Sequence, residues 1–222
     1  MKYSVMKRLA LFVCATAAAA GGLTACVPLV MGGAAAGTAL VVTDRRTSGA
    51  QLEDEGIELR AASRIRSNLG TRVRVNVTSY NRQVLLTGEV PNAQDKQLVE
   101  QVVSRVENVV SVVNELAVLD SPSLMERSSD LLVTGRVKAM LLDARDLQSN
   151  AFKVVTERGT TYLMGRVTQR EADRATEVVR ATPGVQKVIR LLEIISEEEL
   201  ARIRVGAAAA QPQAAAAKPA SN

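Results

Sequence analysis

The 222-residue chain contains no histidine and no tryptophan, two cysteines, three tyrosines and two phenylalanines. Without histidine, the chain lacks the commonest general base and the commonest nitrogen ligand of metals. Catalytic triads, histidine zinc sites and phosphohistidine chemistry are therefore excluded. Hydrophobic residues still make up 47% of the chain, so any core must be built from Val, Leu, Ile and Ala. We expect compact aliphatic modules with no enzymatic activity, no bound metal and no organic cofactor.

The N-terminus has the pattern of a secretory signal. Lys2, Lys7 and Arg8 form a positive start, residues 9–20 are apolar, and LTAC at 23–26 is a small-residue processing site. Because this site ends in Cys26, it resembles a bacterial lipobox, in which the cysteine is acylated and becomes the first residue. The sequence predicts a signal peptide over 1–25 and a covalent lipid on Cys26.

Two alternatives remain for this segment: an ordinary signal peptide with a chance cysteine, or a transmembrane anchor, since no charge occurs between Arg8 and Asp44.

Cleavage before Cys26 removes three basic residues and changes the formal net charge from +5 to +2. It also removes Cys14, which leaves no thiol pair for a disulfide or a cysteine metal site. Lipoproteins with Asp after the cysteine are retained at the inner membrane, whereas Val27 follows here. We therefore expect a lipid anchor on the periplasmic face of an outer membrane.

An internal repeat is the most informative feature of the remaining chain. VNVTSYNRQVLLTGEV at 75–90 aligns with FKVVTERGTTYLMGRV at 152–167 at a constant offset of 77 residues. Two homologous modules therefore follow one another. The predicted boundaries are a lipidated N-terminus and flexible linker at 26–56, a first module at 57–120, a linker at 121–128, a second module at 129–195, and a short helix with a disordered Ala/Pro/Gln tail at 196–222.

Each module has the same predicted order, helix–strand–strand–helix–strand. Apolar residues at helical spacing predict opening helices over 57–69 and 129–142, and alternating valines followed by a turn near Asn81–Arg82 predict a hairpin. In the second module, Thr168 and Glu171 form a capping box that starts the second helix. The fold class is α+β: two tandem αββαβ modules, each a three-stranded sheet with two helices on one face.

This layout resembles the BON domain family. Each copy has a glycine after its second strand, in TGEV at 87–90 and MGRV at 164–167, and both follow a lipobox. DRRTSGAQLEDEGIELRA at 44–61 and RVTQREAD at 166–173 extend the resemblance to outer-membrane lipoproteins with two BON domains. The resemblance covers about residues 23–195. It implies a non-enzymatic role in envelope integrity and binding of anionic phospholipid through the first helix of the second module.

The two opening helices, aligned at an offset of 72 residues, differ at three positions where polar residues or glycine become apolar. The replacements are Arg60 by Leu132, Asn68 by Met140 and Gly70 by Leu142. Since these positions lie away from the buried stripe of the helix, Leu132 and Leu142 should be exposed, together with Leu131.

These leucines and nearby cations form the predicted phospholipid-binding site. Arg136 and Lys138 lie beside Leu131, Leu132 and Leu142, and residues 129–195 carry 11 basic against 8 acidic residues. An apolar strip with a cationic rim fits an anionic membrane surface.

Other partners remain open at this point. The leucines could instead pack against the first module, the linker or the tail helix, or bind another protein. In the latter case the chain would be a periplasmic adaptor for outer-membrane assembly, cell-wall or envelope-stress factors. We expect no nucleic-acid partner, because the chain is secreted and has few aromatic residues for base stacking.

Overall fold

The computed structural model describes residues 44–119 and 124–216, with side chains described for 44–119 and 127–206. In chain order the first module contains α1 (Ser48–Leu69), β1 (Arg74–Tyr80), β2 (Gln83–Val90), α2 (Ala93–Ser104), β3 (Ser111–Asn114) and β4 (Ala117–Val118). The second contains α3 (Leu124–Asp143), a 3-10 turn (Ser149–Ala151), β5 (Phe152–Glu157), β6 (Thr160–Val167), α4 (Gln169–Arg180) and β7 (Lys187–Ile194), and α5 (Glu197–Ala216) follows.

Both modules begin their sheet with a tight hairpin. β1 pairs antiparallel with β2 around Asn81–Arg82, and β5 pairs antiparallel with β6 around Arg158–Gly159. All four turn residues have positive φ, between 49° and 70°, as a two-residue turn that matches the twist of its strands requires. The turn positions predicted from sequence are confirmed.

The last strand of each module returns parallel to the second strand after a helical crossover. β7 pairs with β6 along its whole length, whereas the equivalent strand of the first module is interrupted between Asn114 and Ala117. The side-chain oxygen of Asn114 accepts from the Leu116 amide at 3.3 Å at this interruption. The predicted αββαβ order and α+β class are confirmed in both modules.

The helices of each module cover one face of its sheet. In the first module Val84 and Leu86 of β2 pack beneath α1 and α2, and in the second Leu163 and Val167 of β6 pack beneath α3 and α4. The apolar stripes of α1 and α3 expected from their four-residue spacing are buried. They are Ala61, Ile65 and Leu69 in α1, and Val133, Val137 and Leu141 in α3.

The opposite faces of the two sheets pack against each other. Tyr80 and Leu85 of the first sheet meet Tyr162 and Met164 of the second in a separate buried cluster. Consequently β2 and β6 are covered on both faces, by helices on one and by the other sheet on the other. This explains why both strands are rich in large apolar residues rather than strictly alternating.

Gly88 and Gly165 occupy places where another strand approaches closely. A β-carbon on Gly88 would lie 2.0 Å from the Arg74 carbonyl oxygen, and one on Gly165 would lie 2.4 Å from that of Ala151. Gly88 also has φ +118°, which side chains rarely adopt. Both glycines lie within β2 and β6 rather than after them, as the sequence had suggested, and both are explained by close packing.

The predicted flexible linker over 26–56 is wrong for residues 48–56, which belong to α1. The Thr47 side chain accepts from the Ala50 amide at 3.1 Å and caps the helix. The extra turns were missed because the buried stripe continues through Asp54, a charged residue that breaks the apolar period.

Two further boundaries need correction. The predicted linker at 121–128 is helical from Leu124, the first residue of α3. α5 continues to Ala216, so the disorder expected after a short helix is wrong for 206–216. Alanine, which dominates this stretch, has the highest helix propensity of all residues.

Candidate functional site

The candidate site is the outward face of α3. Val133, Val137 and Leu141 fix the rotation of the helix by packing on the second sheet. This turns Leu131, Leu132 and Leu142 away from the core, where they are 74%, 62% and 73% exposed. The exposure expected from their spacing is thus observed, and the leucines do not take part in the sheet-to-sheet contact between the modules.

Small residues complete this face. Gly135 and Ala139 lie between the leucines on the same side of α3 and are also exposed. We call the set of Leu131, Leu132, Gly135, Ala139 and Leu142 the outer face of α3. It carries no charged side chain over about three turns, which is unusual for a helix surface in contact with water.

Cations flank the outer face. Arg136 and Lys138 lie on its two sides and are both exposed. Among the side chains described, those of residues 44–119 and 127–206, neither of them forms an ion pair. Asp130, an acidic neighbour on the same helix, is engaged elsewhere: it accepts from the Arg158 and Gly159 amides at 2.7 and 3.0 Å.

The equivalent face of α1 has different chemistry. Leu59 matches Leu131 and is 73% exposed, but Arg60, Ser63 and Ser67 replace the remaining apolar and small residues. Arg60 is paired with Glu53 at 2.5 Å. Of the two opening helices that the structure describes, only α3 therefore has a continuous apolar face between its cations.

Sequence reasoning missed a second set of residues, which connects the modules. Arg45 makes a bidentate ion pair with Glu171, with both N–O distances 2.7 Å. The two side chains are only 3% and 2% exposed. Burial by itself would raise the pKa of Glu171, but hydrogen bonds from Arg45 and from the Thr168 amide outweigh it, and the pKa is lowered.

The neighbouring arginine binds the first module. Arg46 pairs with Asp54 at 2.7 Å, and its guanidinium carbon lies 4.2 Å from the centre of the Tyr80 ring. Asp54 also accepts from the Asn81 and Arg82 amides at 2.7 and 2.8 Å, so it holds the hairpin turn. Burial opposes ionisation of Asp54, yet these hydrogen bonds keep its pKa below the usual value. The only sequence signal of these contacts was the adjacent pair Arg45 and Arg46 just before α1.

Polar contacts surround the apolar interface between the sheets. Arg74 pairs with Glu157, and Lys153 pairs with Glu58 at 2.8 Å. The side-chain amide of Asn81 donates to the Glu193 carboxylate at 2.7 Å. Inside this rim, burial raises the pKa of Tyr80 to about 12, and that of Tyr162 is raised as well. The two modules thus contact each other through an apolar centre and a charged rim.

No group of histidine, cysteine or carboxylate side chains within the described ranges could hold a metal ion. In the same ranges no helix is both long enough and apolar enough to cross a bilayer. Cys26, the predicted lipidation site, lies outside the described residues.

Comparison with known proteins decides the family. The BON domain family matches residues 54–120 and 129–196, which are the two folded modules described above. The chain belongs to the BON domain family. Its first and second BON modules are each built on one of the two sheets.

Named relatives are found across the length of the chain. The chain is 36% identical over 198 residues to the outer membrane lipoprotein DolP of Haemophilus influenzae, covering 88% of this chain and 100% of that protein. It is 31% identical to a 21 kDa hemolysin of Actinobacillus pleuropneumoniae, covering 68% and 79% of the two chains. It is 32% identical to the osmotically-inducible protein Y of Escherichia coli, covering 51% and 58%. These relationships support an outer-membrane lipoprotein of the bacterial envelope, as the sequence predicts.

Proposed function

We propose that this BON protein is a non-enzymatic lipoprotein on the periplasmic face of the outer membrane, and that its second module binds anionic phospholipid through α3 and so supports envelope integrity. The observation that carries the proposal is the outer face of α3. It combines three exposed leucines with two flanking cations that form no ion pair among the described residues.

The energetics of such a surface fit reversible binding. Each leucine that leaves water contributes at most roughly 1.5–3 kcal/mol. Each cation near an anionic headgroup layer adds about 1 kcal/mol. Gly135 and Ala139 project little, so the helix can lie with its axis parallel to the membrane surface while Arg136 and Lys138 remain among the headgroups.

An acyl anchor on Cys26 would supply permanent attachment. One acyl chain binds a membrane marginally and a second signal makes binding stable. In this arrangement the anchor determines residence on the membrane, and α3 selects regions rich in anionic lipid. The proposal needs no metal and no cofactor other than the covalent lipid.

Vesicle co-sedimentation tests the proposal. A soluble form beginning at Val27 is mixed with neutral vesicles and with vesicles containing phosphatidylglycerol. We expect binding to the anionic vesicles alone, and Leu131→Glu or Leu132→Glu should abolish it. Leu59→Glu is the matched control, since Leu59 occupies the equivalent place on α1 and is equally exposed. Equal binding by all variants would contradict the proposal.

A second candidate, a protein adaptor, is favoured by the outer edge of β1. Because Tyr80 and Gln83 flank the hairpin turn as a hydrogen-bonded pair, Val75 and Val77 direct their backbone groups away from β2. No described strand pairs with this edge. A groove lined by Leu59, Ala62 and neighbouring residues runs beside it. An extended peptide could add there as a further strand.

The adaptor function has a separate test. Val77→Pro removes an outward amide without breaking a bond to β2. If the chain is an adaptor, this substitution eliminates crosslinks to envelope proteins in cells and leaves vesicle binding unchanged. Failure to bind any vesicle, together with loss of these crosslinks, would favour the adaptor over the lipid-binding function.

A further inference from the structure

Residues Asp44–Arg46 lie directly before α1, and they contact both BON modules. Arg46 pairs with Asp54 in the first module, while Arg45 pairs with Glu171 in the second, 126 residues away along the chain. Arg45 also donates to the Arg166 carbonyl oxygen at 2.9 Å. Two adjacent side chains of one short segment therefore bind both modules.

This attachment lies beside the proposed lipid-binding helix. A second nitrogen of the Arg45 guanidinium is 3.5 Å from the Gln148 side-chain oxygen. Gln148 belongs to the connection that follows α3 and begins directly after Asp143. The first residues that the structure describes thus contact the connection that follows Leu142 and Asp143.

We infer that Asp44–Arg46 is a strap in which Arg45 and Arg46 are positioning residues: they join the modules into one body and hold the outer face of α3 toward the anchored membrane. The orienting role rests on the proposed function, whereas the joining role does not. Both arginines act through the modules they hold.

The Arg45–Glu171 pair is buried. Both of its charges are almost wholly removed from water. Replacement of either residue alone would leave the other charge buried without its partner, which is strongly unfavourable. The bidentate geometry also fixes direction, because two parallel hydrogen bonds resist rotation of either side chain.

Oxidative footprinting of the acylated full chain tests both roles at once. Met164 lies in the interface between the sheets and is 0% exposed, whereas Met140 lies one turn after Arg136, on the flank of the outer face of α3, and is 42% exposed. Hydroxyl-radical oxidation, read by mass spectrometry, therefore reports module separation at Met164 and membrane contact at Met140. Phe152, 8% exposed in the core of the second module, reports unfolding of that module.

We expect Met140 in the wild-type chain to be protected on vesicles containing phosphatidylglycerol, and Met164 to be protected with or without them. In Arg45→Gln, oxidation of Met164 should rise about five-fold or more while that of Phe152 is unchanged, because the modules separate without unfolding. Protection of Met140 by the vesicles should fall by about half or more, because α3 is no longer held toward the membrane.

Three further variants complete the test. Arg46→Gln removes the hold on the first module and leaves Glu171 paired, so it should also expose Met164. Arg174→Gln removes an ion pair with Asp146 in which both side chains are about half exposed, and should change neither methionine. If Arg45→Gln fails to fold, Arg45→Gln combined with Glu171→Gln removes both buried charges and should expose Met164 in a chain with normal circular dichroism.

Unchanged oxidation of Met164 in the strap variants overturns the inference. So does exposure of Met164 with undiminished protection of Met140, because the strap then does not orient α3. If vesicles fail to protect Met140 even in the wild-type chain, the proposed lipid-binding function and the orienting role both fail, and the response of Met164 still decides whether the strap joins the modules.

Discussion

The exposed side of α1 in the first BON module carries Arg60, Ser63 and Ser67, whereas the same positions of α3 in the second carry Leu132, Gly135 and Ala139. The cations on either side are shared, since Arg64 and Arg66 of α1 match Arg136 and Lys138 of α3. The modules therefore differ in the apolar residues of the face and agree in its basic rim.

The difference extends to how the rim is used. In the first module Arg64 of the rim donates to the Arg105 carbonyl oxygen at 2.6 Å, and Arg60, on the face itself, is held by Glu53. The two helices therefore differ mainly in the face between the cations, which is interrupted by a paired arginine in α1 and is apolar in α3. The comparison teaches that a basic rim makes a candidate membrane surface only when the face it borders is apolar and exposed.

The largest effect that distinguishes the modules concerns their matched glycines. Gly88→Ala adds a β-carbon against a carbonyl oxygen at a positive φ, and should destabilise the first module by about 3–5 kcal/mol. Gly165→Ala produces only the close contact and should destabilise the second by about 1–3 kcal/mol. Urea unfolding with hydrogen exchange, read separately for each module, measures both.

Equal destabilisation by the two alanines would show that φ at Gly88 carries no strain for a side chain. A larger effect at Gly165 would show that the backbone at Ala151 adjusts less than the backbone at Arg74. The order of the two destabilisations would then be reversed.

An exchange of residues between α1 and α3 sharpens the comparison of their surfaces. Leu132→Arg introduces the residue of the first module and should lower partition onto anionic vesicles by about 10- to 100-fold, if burial of one leucine contributes roughly 1.5–3 kcal/mol. Arg60→Leu should leave partition within about two-fold, since one added leucine beside Ser63 and Ser67 does not make a continuous apolar face.

Sedimentation at several lipid concentrations gives both partition coefficients. A gain of binding in Arg60→Leu equal to the loss in Leu132→Arg would show that α1 and α3 are interchangeable surfaces, and that the identity of one residue decides which module binds.

The smallest contrast concerns pH, because each module contains one buried carboxylate with a lowered pKa. The usual pKa values are 3.8 for Asp54 and 4.5 for Glu171, and both are lower in the folded chain. The stabilisation they provide is therefore complete above these values and is lost as the pH falls through the lower folded-state values.

Urea unfolding midpoints at pH 7 and at several values below pH 4.5 test this expectation. The free energy of unfolding should decrease on acidification. Asp54→Asn should reduce that dependence while Glu171 maintains part of it. A wild-type midpoint that does not change with acid would mean that neither carboxylate stabilises the fold through its charge.

Much of the fold could be predicted because local signals agreed with one another. Four-residue spacing identified the stripes of α1 and α3, and the capping box at Thr168 marked the start of α4, where both of its hydrogen bonds are present. The repeat added an independent check, since each module supported the interpretation of the other. The exposed leucines of α3 followed from the same periodicity.

Contacts between distant parts of the chain could not be predicted in the same way. The packing of one sheet on the other is indicated only by the apolar composition of β2 and β6, which fits a single core in each module equally well. Asp54 lies in the buried stripe of α1 but is charged, so the hydrophobic periodicity did not identify it as a buried residue. Arg45 and Glu171 are far apart in sequence, and nothing in the pattern of either residue indicates its partner.

The sheet-to-sheet contact also bears on how two copies of one module can acquire different roles. A change on the inner face of either sheet disturbs both copies, because Tyr80 and Leu85 pack directly on Tyr162 and Met164. A change on an outer helix affects only its own copy. Duplication followed by face-to-face packing thus leaves the outer helices as the surfaces on which the two copies can diverge independently, and α1 and α3 differ there.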